Sequence, residues 1–201
     1  RMLTTKVELR SSEDGSDYIE GYALKFERWS DVLGFFVPFR EIISQSALDG
    51  ADMSNVVALF NHDQNMPLAR NTVSSGAGSL ELSVDNIGLR FKLIPTDTSY
   101  AKDLIANVRA GVVNQCSFAF SIAEDGDEIS YNEELGIYER RINKFERIYD
   151  VSVVTSPAYP DTEAVVGQRS LKKFEELEQE RSRPSTEDIE KLRFELDLLE
   201  I

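Results

Sequence analysis

The chain has 201 residues, 22 Lys plus Arg against 36 Asp plus Glu, a formal charge of −14, and 41% apolar residues. That length suits one domain of ordinary size, or one domain with an appendage, and one Cys with one His excludes both an internal disulfide framework and a Cys/His zinc cluster. The acidity argues against a phosphate-binding surface, so no nucleic acid partner is expected, and no stretch approaches the roughly 18 apolar residues that span a bilayer, so no membrane partner is expected either.

The opening residues RMLTTKVELR contain no apolar block, so a secretory signal is not expected, and the lone thiol suggests a reducing, intracellular setting. From Lys6 to Ser170 the pattern predicts mostly strands: Tyr18 to Phe26, Val56 to Phe60, Leu80 to Val84, Gly88 to Ile94, Val112 to Ile122 and Phe145 to Val154. Turn signals at Asp14-Gly15, Gly76 to Gly78, Asn86 to Gly88 and Asp125 to Asp127 separate them. A helical turn is expected around Gln45 to Asp49. The main helix is predicted over Ser99 to Ala110, capped by Thr98 or Ser99, with Leu104, Ile105 and Val108 on one face and Gly111 at the left-handed stop. After Ser170, Leu171, Phe174 and Leu177 mark one amphipathic helix. Pro184 interrupts it, and Ile189, Leu192, Leu196 and Leu199 mark a second. The expected fold is a β-rich α+β domain over residues 1–170, a barrel-like and mainly antiparallel sheet with a few surrounding helices. Residues 171–201 are expected to form a helical tail, either a solvated hairpin or an interaction or tethering arm.

Three residues in these elements could carry chemistry. His62 closes the run VVALFNHD, where strand alternation places it on the side of Val56, Ala58 and Phe60. It is either a core-edge residue or a proton shuttle. In VVNQCSFAFSI, Cys116, Phe118, Phe120 and Ile122 share an apolar face, and Gln115, Ser117, Ala119 and Ser121 share a small, polar one. Ser117 is thus either an ordinary edge serine or an approachable nucleophile. In RIYDVSVVTSPAYPDT, Tyr149, Val151 and Val153 alternate with Asp150 and Ser152. A carboxylate inside so strong a β-forming run needs a partner, either an arginine (Arg140, Arg141 or Arg147) or a catalytic group. A hydroxyl needs a base, and an imidazole needs a third group to fix its tautomer, so the three form a chemically complete set. Cys116 with His62 would be a cysteine-protease alternative, but alternation turns Cys116 to the opposite face from Ser117. A metal-dependent hydrolase finds no ligand spacing, and no cofactor is implied.

Six separated pieces, taken in order, resemble one family. They are GYALKF from Gly21, EIISQSALDG from Glu41, VVALFNHDQNMPLAR from Val56, GLRFKLIPTDTSYAKDLIANVRAG from Gly88, QCSFAF from Gln115 and YDVSVVTSPAYPDT from Tyr149. The chain resembles the prohead (capsid maturation) proteases of tailed bacteriophages, distantly similar in fold to the herpesvirus assemblins. The resemblance implies a serine endopeptidase. The His of the family's NHD motif falls on His62, the Ser of its SF motif on Ser117, and the acidic residue before VS-x-V-x-x-PA on Asp150. Asp150 stands where many members carry Glu, and Cys116 where many carry Met. The likeness further implies oxyanion donors among the backbone amides of Ser156, Ala158 and Tyr159, Pro157 having no N–H. It gives Arg70 either a substrate contact or a loop brace. It also implies the scaffolding segment of the major capsid protein as substrate, with the chain itself as another, inside the immature capsid in the host bacterial cytoplasm. Homo-oligomerisation through the tail or a helix is a further expectation. The alternative is a non-enzymatic assembly factor built on a protease-like domain.

Overall fold

Runs rich in Val, Ile, Leu and Phe pair into eleven strands in the computed structural model, which describes residues 5–11, 17–34, 37–155 and 168–183. The strands are β1 (Thr5–Ser11), β2 (Asp17–Lys25), β3 (Phe39–Ile43), β4 (Val57–Phe60), β5 (Asp63–Arg70) and β6 (Leu80–Val84). They continue with β7 (Gly88–Leu93), β8 (Gln115–Ile122), β9 (Asp127–Asn132), β10 (Ile137–Ile142) and β11 (Phe145–Val154). Helix α1 (Ser99–Arg109) lies between β7 and β8, and α2 (Gln168–Arg181) follows β11. The chain divides after Val165 into two units, and α2 belongs to the second.

In the first unit, eight strands form one sheet in the order β5-β4-β11-β8-β1-β2-β7-β6. Every neighbouring pair is antiparallel except β4 with β11, which is parallel. An isolated bridge between Arg70 and Ser79 draws the two edges toward each other, so the sheet nearly closes into the expected barrel. Ile19, Leu24, Leu68, Leu89, Leu93, Phe145, Val151 and Val153 alternate inward and are fully buried. Helix α1 buries Ala101, Leu104 and Val108, one side of a 3.6-residue period. Thr98 is its N-cap residue, although its hydroxyl makes no capping bond, and Gly111 takes φ +74° just past the end.

A small second sheet, β3-β10-β9, pairs β3 parallel and β9 antiparallel to β10. The largest of its buried side chains is a cation: Arg140 is 2% exposed, with Nε 2.7 Å from Asp127 Oδ2 and a longer contact to Glu41. Burial pushes the Glu41 carboxyl above its usual range, against the pull of Arg140.

Two predicted elements differ from expectation by more than a residue at an end. The strand predicted from Val112 begins at Gln115, because the amides of Val112 and Val113 bond back to the Asn107 carbonyl and finish the helix. Around Gln45 to Asp49 the chain makes successive tight turns (Ala47 N–H to Ser44 O, Asp49 N–H to Ser46 O) without becoming a helix. The first predicted tail helix is α2; the second lies outside the described residues.

Candidate active site

Three adjacent strands, β4, β11 and β8, deliver the candidate groups. The β4–β5 hairpin is closed by only two residues, Asn61 and His62, since Phe60 pairs with Asp63. Both have positive φ, 53° and 57°, as a two-residue turn matching the sheet's twist requires. Asn and His are among the few non-glycine residues that tolerate this region. Asn61 then ties the turn to β11: its N–H donates to the Val153 carbonyl, and its Oδ1 accepts from the Thr155 amide at 2.9 Å. His62 therefore belongs to a turn and is not a continuation of the β4 face, as strand alternation had suggested.

β11 carries the carboxylate. Its register against β8 slips between Ile148 and Asp150, so Tyr149 and Asp150 together oppose Ala119. The bulge turns Tyr149 outward, where its hydroxyl reaches Ser121 Oγ at 3.3 Å, and keeps Val151 in the core. Simple alternation had grouped Tyr149 with the valines. Asp150, 7% exposed, faces the outer side of the barrel wall. His62 Nδ1 lies 2.8 Å from its Oδ1. An ionised carboxylate only accepts, so Nδ1 carries the proton and donates it, leaving Nε2 as the basic nitrogen of the neutral ring. Ser152, two residues on and 0% exposed, donates its hydroxyl to the same Oδ1 at 2.7 Å.

The arginine alternatives for Asp150 fall away. Arg140 is held by Asp127 and Glu41, Arg141 contacts Glu27, and Arg147 faces Asp52.

Ser117 stands directly opposite Ser152 in the antiparallel register, so the two share the outer face. Cys116 points the other way: it is fully buried, and its thiol donates to the Tyr22 carbonyl at 3.0 Å. That geometry leaves the cysteine-protease alternative without a nucleophile beside the ring. Register also locates the imidazole. Asp150 is level with Val57, whereas His62 is anchored beyond Phe60, which is level with Val153. Three residues of strand span roughly 10 Å, so the ring folds back along β11 to reach Asp150. The structure thus joins two of the three predicted groups by a hydrogen bond and sets the third on the adjoining strand, facing the same side. Among the described residues, the Ser117 hydroxyl makes no hydrogen bond to the ring.

Arg70 lies in the same outward row as Asp150, two strands away through Val57, or about 10 Å between backbones. Its guanidinium donates to Asn55 Oδ1 at 2.6 Å. Ser156, Ala158 and Tyr159 lie outside the described residues. Ser152 and Asn61 are the site residues to which sequence reasoning gave no role. The signals were present: Ser152 is i+2 from Asp150 on one strand face, and Asn-His between two β runs is a turn dipeptide. Gln115, on the Ser117 face, has a buried carboxamide oxygen with no hydrogen-bond partner among the described residues.

A family model described as caudovirus prohead serine protease matches residues 5–177. Neither the curated proteins nor the solved structures give a match to the chain.

Proposed function

The chain belongs to the caudovirus prohead serine proteases, and from that premise we propose that Ser117, His62 and Asp150 form its catalytic triad. The observation that carries the reading is the His62–Asp150 hydrogen bond, which engages Nδ1 with the carboxylate and so supports Nε2 as the base. Nε2 takes the Ser117 proton as Oγ attacks the scissile carbonyl, and Asp150 stabilises the imidazolium that forms. The imidazolium then protonates the leaving amine. Water, activated by the same ring, hydrolyses the acyl-enzyme and restores Ser117. The Ser117–His62 contact tightens when substrate is present, as catalytic hydrogen bonds often do. Backbone amides among Ser156, Ala158 and Tyr159 donate to the oxyanion, and Arg70 braces the Asn55 loop.

The substrate is an extended polypeptide. β8 meets β1 only at Gln115 and Cys116, so among the described residues its second edge has no strand partner from Ser117 onward. That edge accepts another chain by strand addition. The substrates are the scaffolding segment of the major capsid protein and the protease's own chain, cut inside the immature capsid in the host cytoplasm.

The test incubates the protein with its cognate capsid protein and reads product masses, including those of its own termini. Ser117→Ala and His62→Ala should each lower kcat by about 10⁴-fold or more, and an organophosphorus serine reagent should label Ser117 in the unsubstituted chain only. Undiminished cleavage by Ser117→Ala would overturn the assignment. Complete capsid maturation with all three residues replaced by Ala would favour the assembly-factor reading.

A further inference from the structure

The torsion that aims the Asp150 carboxylate is soft. Terminal sp³–sp² bonds of this kind are broad and roughly two-fold, so a single donor does not fix which oxygen faces the ring. The donor in question, His62, sits on a turn with a side chain one-third exposed. Ser152 supplies what that contact lacks. It is 0% exposed, sits two residues along the same strand and donates to Oδ1 at 2.7 Å, the oxygen that also accepts from His62 Nδ1. Its neighbours Val151, Val153 and Val154 are buried and apolar, and a valine would suit the strand at 152 better than a serine does. A hydroxyl in such a place is unfavourable unless it is bonded, and this one directs its only proton at Asp150. Its backbone is held opposite Ser117 by the β8–β11 register.

We infer that Ser152 is a positioning residue that clamps Asp150 Oδ1 toward His62, so that Nε2 stays turned to the Ser117 row. The inference rests on the triad reading above. It assigns Ser152 no contact with substrate and no share in bond making.

His62 is the only imidazole in the chain, so its ring resonances are unambiguous in a nitrogen-15-labelled sample. In a Ser117→Ala background, which prevents self-cleavage, adding Ser152→Ala should move the Nδ1–H resonance upfield and broaden it by exchange with water. In the otherwise unsubstituted enzyme, Ser152→Ala should lower kcat about tenfold, the worth of one hydrogen bond to a charged group, with KM unchanged. Ser152→Thr, which keeps the hydroxyl and favours a strand, should restore both the resonance and kcat. Ser152→Cys, a poor donor of similar size, should fall between them and serves if the Ala variant folds badly. An unmoved Nδ1–H resonance, a loss confined to KM, or a failure of Ser152→Thr to rescue either readout would overturn the inference. Should the unsubstituted protein cleave nothing, the triad reading fails first, while the resonance still reports whether Ser152 holds Asp150 against His62.

Discussion

Two residues in left-handed conformation place the His62 ring, and this makes the hairpin turn as consequential as the proposed triad itself. Asn61 combines tolerance of positive φ with three contacts to the end of β11. Asn61→Gly keeps the turn and loses the Thr155 tie. It should change stability by less than about 1 kcal/mol while lowering kcat, because His62 is no longer registered against Asp150. Asn61→Ala adds the left-handed penalty, about 1–2 kcal/mol further, and should lower Tm as well. Thermal unfolding beside steady-state kinetics separates the two effects; a Gly variant with unaltered kcat would show that the tie is dispensable. At this scale the sequence was legible in part. Alternation gave the faces of Ser117 and Asp150, opposite to those of Cys116 and Val151, whereas it did not give the direction of His62. Period-two alternation assumes an uninterrupted strand, and both His62 and Tyr149 sit where the strand is interrupted, one by a turn and the other by a bulge.

At the scale of elements, patterning worked where burial decides conformation. Leu80 to Val84 was read with both ends right, and the Ser99 helix to within one residue, because their apolar periods answer to one core. Among the strands that went unread, β5, β9 and β10 are polar for identifiable reasons. β5 contains Gln64, Asn65 and Pro67, and it is an edge strand whose bulged pairing to β4 leaves most of those groups to solvent. β9 and β10 carry charge because the small sheet buries an ionic group in place of an aliphatic one. That group makes its own prediction. Arg140→Met leaves Asp127 and Glu41 buried without their cation and should destabilise the protein by about 3–5 kcal/mol, read from denaturant unfolding. Glu41 adds a pH dependence. Burial raises its folded value above the usual 4.5, so the folded chain holds that proton more tightly than the unfolded one. Its contribution is present below the unfolded value and is lost as pH rises through the folded value. Glu41→Gln cannot ionise, so its Tm should decline less than that of the parent over this window. Parallel Tm–pH curves for the two proteins would refute the linkage.

For the whole molecule, the excess of 36 acidic over 22 basic residues means that like charges are crowded onto a single barrel and its tail. Self-repulsion of this kind is long-ranged and screened by salt. Raising sodium chloride from about 0.05 to about 0.5 M should increase Tm by a few degrees, whereas a protein limited by its ion pairs would lose stability over the same range. The topology carries a consequence of another kind. His62 and Asp150 are 88 residues apart, and the strand that brings the carboxylate is the last of the barrel, inserted between β4 and β8. Such distant pairings form late, after the cost of closing a long loop has been met. A chain still emerging from the ribosome has Ser117 and His62 well before it has Asp150. On the proposed triad, an unfinished copy lacks its orienting carboxylate, and the site is completed in one step, when β11 takes its place between β4 and β8.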